Sequence, residues 1–525
     1  PSNPSRIGVL TPRLGTQPGQ HTAHSSCAQH YGAVERWFCA VFATMTPARR
    51  ARLAWLHRWA GLVTGWFAFA IFLTGTLSLF DTELTRWMQP ETAGVPYNAQ
   101  LTPSAMDHAQ HILRELERSG APPSFLLLPE PRDPTLRILH YDGHGFVGPV
   151  LDPRTGEILQ PRQTEGGTFF FTFHYTLRLP EPWGARVVAC VAFAFAVLVL
   201  SGVLLHLKRL IPDYFTLRLH AAMPRSLLDL HVLTGSAMLP FHVLITWSGL
   251  VLTAENALPL LHLRHSSADT QQSAVAQPVT PWVPRTSLND MLQQASIRLG
   301  FAPSYVLFDG DETTFSAIRP NSLNANDVSV TFNNQTGKLT NTSPTASALE
   351  DAFYSLNGLH IARSMGPLLR WLWFAGGMAS SMMIASGLIY YTARQKKLSR
   401  STLHLAQRLN VALLGGLLCA CMGFLACNRL IPALWSARAS MEVESFFAIW
   451  ACCCLLAIML PPRRSWGIMA WSLGIAGLGV PVLDALVVPL ATWSTTLHMT
   501  VNSLCALTGL LCFGSQCLSA RKHHD

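Results

Sequence analysis

Six histidines lie on long apolar segments of this chain or at their ends, and histidine is the residue type here best suited to bind a metal. They are His57, His174, His206, His231, His242 and His360. An ionisable side chain in or beside a membrane span is costly, so it marks a functional site by default. Two neutral imidazoles can fill both axial positions of a haem iron, which suits electron transfer. The residue types therefore permit bis-histidine haem sites, whereas a lone histidine at the end of a span more often only binds water or lipid headgroups; repetition at matched places would favour the haem sites.

The spacing of two of these histidines predicts ligands at two membrane depths. His231 and His242 are 11 residues apart. In a helix that separation is only about 20° from three full turns and corresponds to a rise of about 16.5 Å. One helix face would then present an imidazole at each of two levels, as two stacked haems require.

An internal duplication repeats the histidines. The segment LHRWAG around His57 recurs as LHVLTG around His231, 174 residues later. His174 precedes a Ser-Gly pair at 201–202, and His360 precedes another at 386–387. The unit is a span, an outer domain and a second span, and it occurs twice in the same direction. Glycines accompany the histidines and could let a flat macrocycle approach a helix, or could serve ordinary helix packing: Gly61, Gly65, Gly75, Gly202, Gly235, Gly249 and Gly387.

Composition indicates the helices that must hold these residues. The chain is 49% hydrophobic and 13% charged, whereas about 25% charged residues is usual in soluble proteins. A membrane span needs about 20 mostly apolar residues. The sequence predicts about eight spans, at 55–80, 183–207, 231–254, 368–392, 409–428, 444–460, 466–484 and 493–516.

The predicted fold is therefore a helical membrane protein with two periplasmic α+β domains. Each outer domain should hold a helix (103–119, 286–299) and a small sheet, with strands at 135–141, 145–151, 313–318 and 328–332. The first repeat covers 45–228, with its outer domain at 81–182, and the second covers 229–400, with its outer domain at 255–367. Residues 401–525 form a four-helix membrane appendage, and we expect 1–44 to be a disordered upstream extension.

Basic residues assign an orientation. The formal net charge is +9, but the basic clusters fall in alternate loops, as the positive-inside rule expects of a membrane protein and not as nucleic-acid binding requires. These clusters lie near residues 49–52, 208–225, 394–400, 463–464 and 521–522. The pattern predicts a bacterial inner-membrane protein with both termini in the cytoplasm and the large loops in the periplasm.

Several cofactor motifs are absent from the sequence. There is no GxGxxG that joins a strand to a helix, no Walker A motif and no CxxCH for covalent haem. The sequence thus holds no recognisable nicotinamide or flavin domain, and we expect an external electron donor, either a cytoplasmic flavin or quinol.

The motifs around the histidines resemble the PepSY-associated transmembrane family. The resemblance covers about 50–400 and rests on LHRWAG, FLTGTL, FHYTL, LSGVLLH, LPFHVLITWSG and the Leu-His pair at 359–360. Within the family the chain looks most similar to FoxB-type inner-membrane ferric-siderophore reductases. That resemblance implies two haem b groups, haem contact by the six histidines, and reduction of ferric iron from a siderophore outside the membrane.

The sequence leaves the pairing of the histidines open. At the cytoplasmic side we expect His231 with His57, or with His206 as second choice. At the outer side we expect His242 with either His174 or His360, and a symmetric alternative pairs His174 with His360. A different class of function is a siderophore or peptide transporter, or a ligand-binding sensor, without redox chemistry. The spans offer few carboxylates for transport, so that alternative ranks second.

Overall fold

The computed structural model describes residues 46–143, 146–206, 217–218, 221–257, 282–394 and 399–521. The expected extension 1–44, residue 145 of a predicted strand and parts of three basic clusters lie outside the described residues.

The elements follow one another as the duplication predicts. The first repeat holds α1 (Pro47–Ser78), α2 (Asp81–Met88), α3 (Pro103–Arg118), β1 (Pro123–Leu127), β2 (Leu136–Tyr141), β3 (Phe146–Val147), β4 (Val150–Leu151), β5 (Ile158–Leu159), α4 (Thr168–Thr176) and α5 (Trp183–His206). The second holds α6 (Met223–Ala237), α7 (Leu239–Ala257), α8 (Leu288–Leu299), β6 (Tyr305–Asp309), β7 (Glu312–Ile318), β8 (Asp327–Asn333), β9 (Leu339–Thr342), α9 (Ala348–Ile361) and α10 (Pro367–Arg394). The C-terminal unit holds α11 (Arg400–Asn410), a π-helical turn (Val411–Gly415), α12 (Gly416–Leu430), α13 (Arg438–Met459), α14 (Pro462–Val487), α15 (Leu490–Trp493) and α16 (Thr496–Arg521).

The helices confirm a protein that spans a membrane many times. In the described part of the chain, seven helices are long and apolar enough to span, and an eighth span results if the bent pair α6–α7 is counted as one. The predicted third span is therefore not one straight helix, because α6 and α7 meet at an angle of 67°. Pro240 is the second residue of α7 and has no backbone N–H to continue the helical ladder across the break.

The outer strands differ from the prediction of two separate sheets. The nine strands of the described residues form one antiparallel sheet, in the order β5-β4-β2-β1-β6-β7-β8-β9, with β3 beside β2. β1 of the first repeat pairs with β6 of the second, and Leu126 lies opposite Val306. In two separate sheets each of these strands would be an edge with unpaired backbone groups, and their pairing removes both edges.

One face of the sheet carries the core of the outer region. Buried side chains of α3 and α8, such as Leu113 and Met291, belong to the same apolar cluster as Leu126, Val306 and Phe315 of the strands. Both helices start at a hydroxyl cap, as their sequences allow. We call the end of the membrane helices next to this sheet the outer end, and the opposite end the inner end.

Ion pairs join the two repeats just beyond the outer end of α1. Asp81 bonds Arg132 at 3.1 Å and Arg363 of the second repeat at 2.9 Å. Glu83 bonds Arg132 at 2.6 Å and Arg370 of the second repeat at 3.0 Å. The two carboxylates of α2 thus hold the start of α10 against the first repeat.

This junction predicts a loss of stability in acid. Burial acts to raise the pKa of the Asp81 carboxyl, but Arg363, Arg132 and the hydrogen bonds from Thr82 together more than reverse that, so its pKa is lowered. Its stabilising contribution is present above the unfolded pKa of about 3.9 and is lost as the pH falls through the lower folded value. We expect Asp81→Asn to lower the free energy of unfolding by about 3 kcal/mol at pH 7 and to flatten the decline below pH 4. Thermal unfolding in detergent at several pH values measures both effects, and Asp107→Asn, at an exposed position, is the control. Equal acid sensitivity in the parent and both variants would contradict the assignment of this loss of stability to Asp81.

Candidate functional site

Two histidines of equivalent repeat position face each other near the inner end of the bundle. His57 of α1 and His231 of α6 have ring centroids 6.4 Å apart, with an angle of 69° between the rings. The Nδ1 atom of His57 lies 2.8 Å from the Ser201 hydroxyl of α5. The Nδ1 atom of His231 lies 2.8 Å from the Met383 carbonyl of α10. We call these two residues the inner pair.

A second pair lies toward the outer end. His174 of α4 and His360 of α9 have ring centroids 6.0 Å apart, with an angle of 34° between the rings. The Nδ1 atom of His174 lies 2.8 Å from the Ile71 carbonyl of α1. The Nδ1 atom of His360 lies 2.9 Å from the Ser248 hydroxyl of α7. We call these two residues the outer pair. Each ring of both pairs is hydrogen-bonded to another helix of its own repeat.

The hydrogen bonds fix the same tautomer in all four rings. A carbonyl only accepts, so the two rings that face carbonyls carry the proton on Nδ1. Ser201 and Ser248 each donate their hydroxyl proton to a carbonyl of their own helix, so His57 and His360 also donate from Nδ1. The Nε2 atoms of the four rings make no hydrogen bond to the described residues, and each keeps the lone pair that a metal ligand needs.

Glycines allow the rings to come this close to the neighbouring helices. A Cβ added at Gly75 would lie 2.5 Å from Nδ1 of His174, and one at Gly387 would lie 2.8 Å from Nδ1 of His231. At Gly202 and Gly249 the added atom would lie 3.2 and 3.0 Å from a histidine Cε1. The glycines at these four positions therefore make room for the imidazoles themselves. This role differs from the two that the sequence predicts for them, approach of a macrocycle and helix packing.

The remaining predicted glycines face ordinary side chains. Gly61 and Gly65 face leucines, and Gly235 faces Met383. Their closest approaches from an added Cβ are 3.7, 2.9 and 3.1 Å. These three are helix-packing positions, the second of the two roles that the sequence left open.

The two outer rings share a local backbone device. α4 ends three residues after its histidine at Leu177, with φ of 53°, and α9 ends two residues after its histidine at Ala362, with φ of 56°. Non-glycine residues in the left-handed region cost about 1–3 kcal/mol and cluster at functional sites. Both helices thus stop abruptly just beyond the outer rings.

His242 lies apart from both pairs. It is buried in α7, and its Nε2 lies 2.9 Å from the hydroxyl of Ser380, which itself donates to a carbonyl of α10. Unlike the Nε2 atoms of the other four rings, Nε2 of His242 is occupied by a hydrogen bond to a serine hydroxyl. His206, at the inner end of α5, lies close enough to His57 and His231 to interact with them electrostatically.

The geometry can be compared with what a haem iron requires. A metal–imidazole bond is about 2 Å long and a ring centroid lies about 1 Å behind its nitrogen, so two axial rings have centroids about 6 Å apart. The observed separations of 6.4 and 6.0 Å fit this value. Within the described residues, no group of three or more His, Cys, Asp or Glu could hold a bare metal ion. Pairs of imidazoles suit a metal that brings its other ligands with it.

The structure thus brings together four of the six predicted histidines. It places His57 with His231, the first choice at the inner end, and His174 with His360, the symmetric alternative at the outer end. It does not place His242 beside either outer ring. The residues that sequence reasoning missed are the four Nδ1 partners. Their signal was the small-residue pair Ser-Gly or Thr-Gly at 74–75, 201–202, 248–249 and 386–387: Ser201 and Ser248 belong to such pairs, and the Ile71 and Met383 carbonyls lie three residues before the other two.

Comparison with known proteins agrees with this architecture. The family model described as "PepSY-associated TM region" matches residues 54–394, more than half of the chain. The uncharacterized protein PA4219 of Pseudomonas aeruginosa is 32% identical over 153 residues, which are 27% of this chain and 36% of that protein. The chain thus spans about a third of that relative's length. The chain belongs to the PepSY-associated transmembrane family.

Proposed function

We propose that this protein binds two haem b groups and carries electrons across the bacterial inner membrane to a ferric siderophore. It would thus be a transmembrane ferric-siderophore reductase of the FoxB type. The observation that carries the proposal is the two imidazole pairs, each at iron-ligand separation, with all four Nε2 atoms available. The proposed ligands are His57 and His231 inside, and His174 and His360 outside.

The positions of the two pairs suit electron transfer over most of the membrane thickness. His57 and Ile71, whose carbonyl accepts the bond from the outer ring, are 14 residues apart on α1. That separation is about 21 Å along a helix, against a hydrocarbon core of about 30 Å. The two histidine pairs would hold one haem at each level, and haem would supply the one-electron redox chemistry that such transfer needs.

The protein's own residues would set the environment of each site. The imidazoles lie among apolar helices, and each Nδ1–H bond orients its ring and raises the basicity of Nε2. Because His57 with His231 and His174 with His360 would hold the two haems, the ferric chelate would not need to bind at either iron. The ferric chelate would then accept its electron at the outer end, beneath the shared sheet, and the electron would come from a cytoplasmic flavin or from quinol. The basic loops support placing both termini in the cytoplasm.

The visible spectrum is the direct test. We expect the purified protein to show a Soret band that sharpens on reduction with dithionite, and to contain two haems per chain. The rings of the inner pair are much farther from parallel than those of the outer pair. Since crossed axial rings leave two iron d orbitals closer in energy, we also expect two low-spin ferric electron paramagnetic resonance signals, the inner one more anisotropic.

A protein without a Soret band would contradict the proposal and would favour a transporter or a ligand-binding sensor. One haem per chain, or a high-spin ferric signal from both sites, would contradict the assignment of four ligands.

A further inference from the structure

The short helix α4 carries one outer histidine and three buried phenylalanines. His174 points toward His360, Phe169 and Phe173 point in other directions around the helix, and Phe170, one turn before His174, lies on nearly the same face as His174. These three phenylalanines are 0%, 1% and 2% exposed. The helix that carries an outer imidazole is therefore anchored by a cluster of aromatic rings close to that imidazole.

The other half of that aromatic cluster comes from the C-terminal unit, which lies outside the duplication. Phe424 of α12 stacks on Phe169 at a centroid distance of 4.6 Å and meets Phe170 edge-on at 5.6 Å. Phe446 of α13 meets Phe169 at 4.7 Å and Phe173 at 5.8 Å. Both residues of the C-terminal unit are fully buried.

A polar contact fixes the chain just before α4 to one of these two helices, α13. The carboxylate of Glu442 accepts bonds from the Thr164 hydroxyl at 2.6 Å and from the Glu165 backbone N–H at 3.0 Å. Arg438 donates to Glu442 at 2.6 Å and to the Gln163 carbonyl at 3.0 Å. Glu442 and Arg438 have no exposed surface. Burying this ion pair costs free energy, and the hydrogen bonds that it makes to the segment just before α4 offset that cost.

The partner helix α9 is anchored in another way. Gly358 is its single buried residue in the described structure, and it packs against the loop between β7 and β8. The Ala325 N–H of that loop donates to the Tyr354 carbonyl of α9 at 3.0 Å. α9 is thus held by the outer region and, through the bond from Trp373 Nε1–H to the Leu359 carbonyl at 2.8 Å, by α10, whereas α4 contacts the C-terminal unit.

We infer that the C-terminal unit is the support that positions His174, with Phe424, Phe446 and Glu442 as the positioning residues. This inference rests on the proposed haem ligation. Removing a large ring behind α4 would let the helix move toward the gap, and Nε2 would move with it. The effect should be confined to the outer site, because the inner pair is held by α5 and α10.

Single-site backgrounds make the inference testable. A His231→Ala protein should retain haem at the outer pair alone, and a His174→Ala protein should retain it at the inner pair alone. We expect Phe446→Ala to weaken haem retention about ten-fold in the first background and to give its remaining haem a high-spin component. In the second background the same substitution should leave the spectrum and haem content unchanged.

Two further variants separate positioning from loss of folding. Phe446→Leu keeps the apolar volume and should give a smaller shift of the same kind, and Glu442→Gln tests the polar contact. Phe513→Ala is the matched control, because Phe513 lies in the same C-terminal unit but packs against Trp471 and Gly474. It should leave the outer haem unchanged.

An unchanged outer haem in Phe446→Ala and Glu442→Gln would overturn this inference while leaving the haem proposal intact. Equal changes in both backgrounds would also overturn it, since they would indicate a general loss of packing. A wild-type protein without haem would overturn both proposals.

Discussion

We expect His360→Ala to leave the protein with one of its two haems and to slow ferric-chelate reduction by at least about 100-fold. Replacing a residue that only orients a metal ligand costs up to about 100-fold in activity, so loss of a ligand itself should cost at least as much. The remaining ring of the outer pair, His174, would supply a single axial ligand, with no described imidazole beside it except the one removed. The haem-to-protein ratio should fall from two to one, and the inner, more anisotropic low-spin signal should survive. Haem extraction and resonance spectra on the same sample measure both quantities.

His242→Ala is the control that decides between the two arrangements for the outer site. The sequence alone favoured His242 as an outer ligand, whereas its Nε2 is hydrogen-bonded to the Ser380 hydroxyl. We therefore expect this variant to keep two haems and both resonance signals. A variant that loses a haem at His242 while His360→Ala keeps both would show that the outer pair has been assigned wrongly.

The spans and the histidine positions could be predicted because both are local signals. An apolar run of about 20 residues is visible in any window, and the duplication repeats His57 as His231 at a fixed interval. The choice of outer ligand is not local. His231 and His242 share a face only on a straight helix, and the break between α6 and α7 turns the chain by 67° between them. His231 and His242 therefore do not share one helix face, because the helix stops between them.

Two other features depend on long-range contacts that no sequence window contains. β1 and β6 belong to different repeats, and their pairing is fixed only when the two outer regions meet. The helices α4 and α9 are only 9 and 14 residues long and were absorbed into the predicted outer domains. Their histidines were recognised, but the helices themselves and the support behind α4 required the packed structure.

The glycines beside the rings give the sharpest test of how the imidazoles are seated. We expect Gly75→Ala to remove the outer haem and to leave the inner one. The added Cβ would lie 2.5 Å from Nδ1 of His174, closer than any stable contact. The ring cannot move away without losing its 2.8 Å bond to the Ile71 carbonyl on the same helix. Haem content and the surviving resonance signal are the measurements.

Gly61→Ala, on the same helix α1, is the matched control. There the added Cβ would lie 3.7 Å from Leu198, an ordinary contact. In a helix alanine is favoured over glycine by about 1 kcal/mol, so this variant should be as stable as the parent or more so, with two haems. The same propensity gain applies at Gly75, so a loss of haem there cannot come from a weakened helix. If Gly75→Ala keeps its outer haem while Gly61→Ala loses one, the glycines make room for the macrocycle after all, and the account of four imidazoles seated directly on helix backbones is wrong.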